Sequence, residues 1–492
     1  MSPSSVDRAS IGVEGLDDIL RGGLIAKRLY FIEGSPGSGK TTLALQFLLE
    51  GVRRSETVLH VTLSDSEEEI KAMALSHGWS LQGITIRELM PSDGALAGEQ
   101  YTVFHPSEIE LSETTRKIIE QVKRDRPSRV VIDSLSELRM LSGDPLRYRR
   151  QILALKQFFT GERCTVLVLD DLTSGQRDLQ LQSIAHGAIL LEDAKPGFGA
   201  IRRRLSVTKL RGSDFRAGYH DYAIRRGGLE VYPRLIAAEH RQEVSRDRVR
   251  SDLPGLDSLL GGGLERGTST LIIGASGTGK SSIAALFASR AAERGEASAL
   301  FIFDESASTL FSRMAGLGAD LRKHVDAGLI TVTQIDPAEL SPGEFGHAIQ
   351  QSVSKQSARI VVIDSLNGYL NSMPDEKFLV VQLHELLTYL GQQGIATILI
   401  AAHAGIIGSQ MSAPVDASYL ADAVLLLRYF EAEGEVKQVI SAVKMRGGDH
   451  ERTIREFVMR SGRMWVGEPL RNYRGIFTGV PQKIEARESS VD

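Results

Sequence analysis

A glycine-rich stretch that occurs twice constrains this chain more than any other feature. The copies begin at Gly34 (GSPGSGKT) and at Gly274 (GASGTGKS), and both fit G-x-x-x-x-G-K-[ST], the phosphate-binding loop. Each copy lies between an apolar, strand-like run and a helix-like run. In that context the glycines let backbone amides point at phosphate oxygens, and the helix N-terminus adds partial positive charge. A glycine-rich turn before an ordinary helix is the alternative, but two copies in matching context favour two nucleotide sites.

The predicted nucleotide contacts are the loop residues themselves. Lys40 and Lys280 are expected to reach the β- and γ-phosphates. The full predicted set is Gly34, Ser35, Pro36, Gly37, Ser38, Gly39, Lys40 and Thr41 in the first copy, and Gly274, Ala275, Ser276, Gly277, Thr278, Gly279, Lys280 and Ser281 in the second.

Other marks repeat in the same order around the loops. They are Gly-Leu-Asp at 15–17 and 255–257, Val-Val-Ile-Asp-Ser-Leu at 130–135 and 361–366, and Lys-Leu-Arg-Gly at 209–212 against Lys-Met-Arg-Gly at 444–447. This repeated order predicts an internal duplication of a domain of a little over roughly 200 residues, within the usual size of a domain. We predict a first domain over 1–235, a linker over 236–250, a second domain over 251–470 and a tail over 471–492.

Strand-like and helical runs alternate within each repeat, which predicts the α/β class with a mostly parallel sheet covered by helices on both faces. Later in the first repeat the alternation stops. Residues 205–210 and 229–232 are instead typical of hairpin strands at the end of that sheet.

Composition narrows the class of protein. The formal net charge is −4 over 492 residues, so no global basic field indicates a nucleic-acid partner. The single cysteine, Cys164, lies in an apolar run and is expected to be a buried thiol in a reducing cytoplasm. No apolar run approaches the ~20 residues of a membrane helix, and the first residues lack the layout of a signal peptide.

Two aspartates are candidates for a magnesium site. Asp133 and Asp364 each end an apolar strand and are followed by serine. A carboxylate there can hold a Mg²⁺-bound water opposite the phosphate loop, while Thr41 and Ser281 ligate the ion. The alternative is a surface aspartate that merely ends a strand; the order of the marks favours the metal site.

Hydrolysis also requires a group that orients or deprotonates the attacking water. The candidates follow the strand after the first long helix of each repeat. They are Asp304 and Glu305 in the second repeat and Asp65, preceded by Ser64, in the first. Each could instead be an acid that stabilises a helix N-terminus. The adjacent pair favours catalysis in the second repeat, and both interpretations stay open in the first.

These motifs together resemble the KaiC family of bacterial and archaeal ATPases, from about Ala9 to the tail. The resemblance is carried by both phosphate loops, both Gly-Leu-Asp marks, both V-V-I-D-S-L strands and the K-L-R-G and K-M-R-G marks, the last followed by I-R-E-F at 454–457. It implies two tandem RecA-like P-loop domains that bind ATP with Mg²⁺. It also implies a homohexamer with ATP between subunits.

In such a hexamer, the resemblance implies cations that act on the neighbour's nucleotide. Cations delivered in this way neutralise transition-state charge and couple hydrolysis to assembly. From the residues alone, the arginine run 202–204 would be a solvated edge strand. The implied set is Lys209, Arg211, Lys444, Arg446, Arg202 and Arg203.

The chain also departs from the family pattern. The family carries a Glu-Glu pair where this chain has Ser64-Asp65 and Asp304-Glu305. Where clock members autophosphorylate an adjacent Ser-Thr pair, this chain has Ser418-Tyr419, which makes Ser418 the predicted acceptor. The tail from Arg471 resembles a regulatory segment, and either an ordered cover or a site for an unknown signalling partner fits it.

The function expected is that of a regulatory or signalling ATPase with serine autokinase activity. The second loop is the expected place of chemistry, and the first is expected to act more as an assembly clamp. Two alternatives stay open. One is a RecA- or RadA-like DNA-handling ATPase, although no DNA-binding module or four-cysteine zinc pattern accompanies the repeats. The other is an ATP-dependent assembly scaffold without enzymatic activity.

Overall fold

A computed structural model describes residues 7–89, 106–142, 144–172, 179–195, 199–242, 244–245, 247–371, 378–402, 419–477 and 481–484. The chain divides into two compact units, Met1–Arg234 and Leu235–Asp492. Each unit carries one copy of the phosphate loop.

The elements of the first unit alternate as the sequence predicts. Its strands are β1 (Arg8–Ala9), β2 (Leu24–Ile25), β3 (Leu29–Gly34), β4 (Val58–Thr62), β5 (Ile84–Glu88), β6 (Arg129–Asp133), β7 (Thr165–Asp171), β8 (Gly187–Ala194), β9 (Arg202–Leu210), β10 (His220–Arg225) and β11 (Gly228–Tyr232). Its helices are α1 (Glu14–Ile19), α2 (Lys40–Arg53), α3 (Glu67–Ser76), α4 (Pro106–Asp125), α5 (Leu135–Ser142), α6 (Pro145–Glu162) and α7 (Leu179–Ile184).

The second unit repeats this series after a short 3₁₀ helix at Ala237–His240. Its strands are β12 (Arg248–Val249), β13 (Leu264–Glu265), β14 (Ser269–Gly274), β15 (Ser298–Ile302), β16 (Ile330–Gln334), β17 (Ile360–Asp364), β18 (Ala396–Ala402), β19 (Ala423–Ala432), β20 (Glu435–Met445), β21 (Arg455–Arg460), β22 (Arg463–Pro469), β23 (Tyr473–Arg474) and β24 (Gln482–Lys483). Its helices are α8 (Pro254–Leu259), α9 (Lys280–Glu293), α10 (Ala307–Gly316), α11 (Arg322–Asp326), α12 (Pro342–Ser354), α13 (Leu366–Asn371) and α14 (Leu379–Gln392).

Both units form the same large sheet. The strand order is β5-β4-β6-β7-β3-β8-β9-β10-β11 in the first and β16-β15-β17-β18-β14-β19-β20-β21-β22 in the second. Strands β3 to β8 run parallel and β9 to β11 antiparallel, and the second sheet follows the same rule. The predicted α/β class with mostly parallel sheets is confirmed, and the matching order is what a duplicated domain produces.

One detail of the sheet differs from the prediction. Residues 205–210 and 229–232 do not pair with each other, because β10 lies between them and pairs with both β9 and β11. The arginine run 202–204 therefore begins an internal strand, and its interpretation as an edge strand is wrong.

Each sheet is covered on both faces. Along β3, Tyr30 and Ile32 belong to one apolar core, while Leu29 and Phe31 belong to the other. This follows from the two-residue period of a strand, which sends neighbouring side chains to opposite faces. Cys164 is buried in the second of these cores, as predicted, and burial raises the pKa of its thiol to about 12.

The segment indicated as a linker, 236–250, makes its contacts within the second unit. The amide of Ala237 donates to Glu385 at 3.2 Å, and Gln393 donates to the carbonyl of His240 at 2.6 Å. Farther along, β12 pairs with β13. These contacts attach much of the segment to helix α14 and to the start of the second unit.

Candidate nucleotide-binding sites

The phosphate loops lie where the central strand of each sheet ends. Strand β3 leads through the first loop into α2, and β14 leads through the second into α9. Gly39 and Gly279 have φ values of 92° and 91°, in the left-handed region that favours glycine. A Cβ at Gly39 would lie 2.7 Å from Ile224, and one at Gly279 would lie 2.6 Å from Met459. Both backbone angle and close packing therefore require glycine at these two positions.

Strand register places the predicted metal ligands at the end of the sheet where the phosphate loop lies. Asp133 ends β6 and is buried, and Thr41 donates a hydrogen bond to its carboxylate at 2.8 Å. Burial raises the pKa of Asp133 to about 6, with Asp65 adding to the increase and the bond from Thr41 opposing it. Asp133 is thus a buried group in contact with the loop, and not a surface residue that only ends a strand.

The second unit repeats this arrangement. Asp364 ends β17 and is buried, and burial raises the pKa of its carboxyl to about 6 while a hydrogen bond from Ser281 lowers it. A bound cation would favour the ionised carboxylate in both units.

These residues fit a nucleotide-bound Mg²⁺. The ion usually takes one or two protein oxygens and completes its octahedron with phosphates and water. A hydroxyl and a carboxylate oxygen 2.8 Å apart, as in Thr41 and Asp133, supply that set. Across the described parts of the chain, no group of three or more His, Cys, Asp and Glu side chains could hold a metal ion.

The candidate catalytic acids precede helices but do not cap them. In the first unit Ser66 is the N-cap of α3, with the reciprocal bond from its amide to Glu69 that defines a capping box. In the second unit Ser306 caps α10 by accepting from the amide of Thr309. Asp65 and Glu305 thus lie one residue before the cap. Capping does not account for either carboxylate.

In the first unit Asp65 follows Ser64, whereas in the second unit Glu305 follows a second acid, Asp304. Asp65 is partly buried, and burial raises the pKa of its carboxyl, with Glu69 and Asp171 adding to the increase. The backbone amide of Asp65 donates to the Thr62 hydroxyl at 3.0 Å, which holds the turn after β4.

The second site has two carboxylates with different partners. Ser365, the residue after Asp364, donates a hydrogen bond to Asp304. Glu305 accepts two bonds from Arg313, at 2.5 and 2.7 Å. A bidentate guanidinium fixes the plane of the carboxylate, so Glu305 is held in one orientation. It also lies close enough to Asp364 to raise the pKa of that carboxyl.

Two residues near these sites were missed by sequence reasoning. Arg313 lies on α10, and its counterpart on α3 is Met73. Asp171 ends β7 opposite Gly34 and forms an ion pair with Lys40 at 2.6 Å. A comparison of the two repeats would have revealed both as differences in charge. It would not have shown that they contact the loop and the candidate acids.

A cavity of about 550 Å³ joins the elements of the second site. Its walls include the carboxylates Asp304, Glu305 and Asp364, and Arg313. The loop and the start of α9 contribute Ser276, Gly277, Gly279, Lys280, Ser281 and Ser282. The antiparallel strands contribute Met459 and Arg460. This volume is within the range of small-molecule sites, and its mixture of loop amides, one lysine and three carboxylates suits a metal-bound polyphosphate.

Four of the candidate trans-acting cations lie at the end of their own sheet that is opposite the loop. Lys209 is opposite Ala188 near the start of β8, and β8 starts beside Tyr30, roughly 13 Å of strand before the loop. Its ammonium donates to the carbonyl of Ala185 at 2.8 Å, and Arg211 donates to that of Ser183 at 3.1 Å.

In the second unit, Lys444 donates to the carbonyl of Ala421 at 2.8 Å, and Arg446 donates to that of Tyr419 at 2.9 Å. Lys444 lies opposite Val424, which in turn lies opposite Leu271, well before the loop. None of these four cations is brought to its own loop.

Arg202 and Arg203 lie at the opposite end of their sheet, near the loop. They begin β9 opposite Ala194 and Asp193, and Asp193 accepts a hydrogen bond from Ser35 of the loop. The structure therefore places these two arginines on the loop side of their own sheet.

The predicted phospho-acceptor, Ser418, lies outside the described residues. Its neighbour Tyr419 is 53% exposed.

The beginning of the tail packs against the second unit. Ile476 is buried in an apolar cluster with Phe430 and Val439, and Arg428 donates to the carbonyl of Phe477. Lys483 forms an ion pair with Glu433 at 2.7 Å. The described part of the tail thus packs on the β19–β20 hairpin. None of the helices described is long and apolar enough to cross a membrane.

Comparison with known proteins agrees with this architecture. The family model described as "ATPase: KaiC" matches residues 9–236 and again 249–470. The chain is 27% identical to "Circadian clock oscillator protein KaiC" of Thermostichus vulcanus over 495 residues, covering 99% of this chain and 94% of the relative. It is 26% identical to "Circadian clock protein KaiC3" of Synechocystis sp. over 493 residues, covering 97% and 95%. With both repeats matched and two RecA-like sheets of identical strand order, the chain belongs to the KaiC family of ATPases.

Proposed function

We propose that this protein is a cytoplasmic, Mg²⁺-dependent regulatory ATPase that assembles as a homohexamer with ATP between subunits. Family membership supports ATP hydrolysis. The observation that carries the proposal is the repeated loop with a hydroxyl and a buried aspartate at the same sheet edge, as in the 2.8 Å contact from Thr41 to Asp133. Thr41 and Asp133 would hold Mg²⁺ in the first site, and Ser281 and Asp364 would hold it in the second. The ion would supply positive charge against the negative charge that develops on the transferred phosphoryl group.

We assign hydrolysis chiefly to the second site. Lys280 binds the β- and γ-phosphates, and Glu305 orients the water that attacks the γ-phosphorus. The bond from that phosphorus to the ADP oxygen breaks, and the proton of the water passes to Glu305 or to a phosphate oxygen. Arg313 positions Glu305 through its two hydrogen bonds. The first site has Asp65 alone and serves as an assembly clamp with slower hydrolysis.

The neighbouring subunit completes each site in this proposal. Four cations lie at the end of their sheet opposite their own loop, and a nucleotide that they could contact is therefore one bound by a neighbouring subunit. They are Lys209, Arg211, Lys444 and Arg446. Arg202 and Arg203 are proposed as further trans-acting cations on the strength of the family resemblance, and they lie at the opposite end of their sheet, beside their own loop. We also propose that the tail, packed on the β19–β20 hairpin, presents its end to a signalling partner.

Turnover and mass, measured together on the purified protein, test this function. With Mg-ATP we expect phosphate release and a native mass of six chains, and without nucleotide we expect smaller species. Hexamers without phosphate release would support the scaffold and contradict the enzyme. Turnover that requires single-stranded DNA, with binding that weakens steeply as salt rises, would favour the DNA-handling alternative.

Autophosphorylation is proposed at Ser418. Its hydroxyl oxygen would attack the γ-phosphorus of ATP, the bond to ADP would break, and a carboxylate would accept the hydroxyl proton. After incubation with Mg-ATP, we expect mass spectrometry to detect phosphate on Ser418 and to lose it in Ser418→Ala. Tyr419→Phe is the matched control and should keep the label. Label that survives unchanged in Ser418→Ala rules this acceptor out.

A further inference from the structure

The lysine of the first phosphate loop is already engaged by a carboxylate. The Lys40 ammonium lies 2.6 Å from Asp171 and also donates to the carbonyls of Gly34 and Ser35, at 3.0 and 2.9 Å. The Lys40 side chain is only 7% exposed and that of Asp171 is 26% exposed. An ion pair this enclosed is screened less by water than a surface pair, so it competes effectively with another anion.

The second repeat lacks this carboxylate. Asp171 lies opposite Gly34 in the first sheet, and the residue opposite Gly274 in the second sheet is Ala402. Lys280 donates to the carbonyl of Ala275 at 2.7 Å. Burial lowers the pKa of its ammonium and the nearby Asp364 raises it, but among the described residues no carboxylate forms an ion pair with Lys280. Before a nucleotide binds, the ammonium of Lys40 is therefore paired with a carboxylate, and that of Lys280 is not.

Nucleotide binding at the first site has two additional costs. The ammonium must leave Asp171 before it can contact the phosphates. The carboxylate then lies close to the incoming negative charge, together with Asp65 and Asp133, whose pKa values Asp171 already raises. The negative charges of the carboxylates and the phosphates repel each other, and a neutral side chain at position 171 would not add to this repulsion.

We propose that Asp171 determines the nucleotide affinity of the first site by competing with phosphate for Lys40, so that the second site fills at lower ATP concentration. The inference rests on the proposed binding of ATP by both repeats. In a protein whose two loops are otherwise alike, one side chain thus separates a site that is readily filled from one that fills at higher nucleotide concentration.

The test isolates one site at a time in the full chain. In the Lys280→Ala background, we expect Asp171→Ala to bind a non-hydrolysable ATP analogue with Mg²⁺ about tenfold more tightly, equivalent to about 1.4 kcal/mol. Asp171→Asn keeps the size and should change affinity in the same direction, which separates charge from shape. The reciprocal change, Ala402→Asp in the Lys40→Ala background, should weaken binding about tenfold. Thermal unfolding of each variant confirms that it is folded.

The outcomes are distinct. Unchanged or weaker binding in both Asp171 variants overturns the inference, and weaker binding would mean that Asp171 helps to hold the nucleotide or its metal. Binding absent in Lys280→Ala but gained with Asp171→Ala supports it. Binding absent in both would contradict nucleotide binding by the first repeat; the Ala402→Asp arm then tests the competition at the second site alone.

Discussion

Lys280→Ala is expected to lower Mg-ATP turnover by about 100-fold or more, the loss typical when a cation or donor on a transferred phosphoryl group is removed. The Lys280 side chain is nearly buried in the loop, and alanine offers no charge to replace its ammonium. Phosphate release at saturating ATP measures the effect, and nucleotide titration shows how much of it is lost binding.

Lys40→Ala is the matched control, since it makes the same change in the other loop. In the hexamers that it still forms, we expect it to keep most of the turnover, because the first site has one candidate acid and a lysine already paired with Asp171. Its native mass should be recorded as well, since the first site is the proposed assembly clamp. Equal losses in the two variants, with hexamers intact, would contradict the assignment of hydrolysis to the second site.

Glu305→Gln is expected to lower turnover by about 100-fold, at the lower end of the range for the loss of a general base. Glutamine keeps the size of the side chain but cannot accept a proton, and it presents only one oxygen to Arg313. The measurement is phosphate release in the Lys40→Ala background, where the second site acts alone. Nucleotide affinity should change little, because Glu305 is assigned to the water and not to the phosphates.

Three further variants sharpen this result. Asp65→Asn, the matched change in the first repeat, should have a small effect on total turnover. Arg313→Met introduces the residue of the first repeat and should lower turnover by about tenfold, because Glu305 loses its orientation. If Asp304→Asn abolishes turnover while Glu305→Gln retains it, Asp304 is the base.

Local patterns accounted for much of the architecture. The loop glycines, the strand–helix alternation and the repeated order of marks depend on residues close in sequence, and they predicted two matching parallel sheets. The burial of Cys164 followed from an equally local preference. Strand β10 was missed because His220–Arg225 mixes charged and apolar residues without a clear two-residue alternation.

Contacts between segments that are far apart in the sequence could not be predicted in this way. That Arg313 reaches Glu305 depends on how α10 packs, and that Asp171 reaches Lys40 depends on β7 lying beside β3. Nothing near Asp171 in the chain indicates a loop lysine more than a hundred residues earlier. Both phosphate loops could be identified from the sequence alone, because such a loop is formed by consecutive residues. The difference between the two sites depends on the tertiary structure. Strand order and register place the carboxylate of Asp171 beside Lys40, and they place Ala402 at the equivalent position of the second sheet.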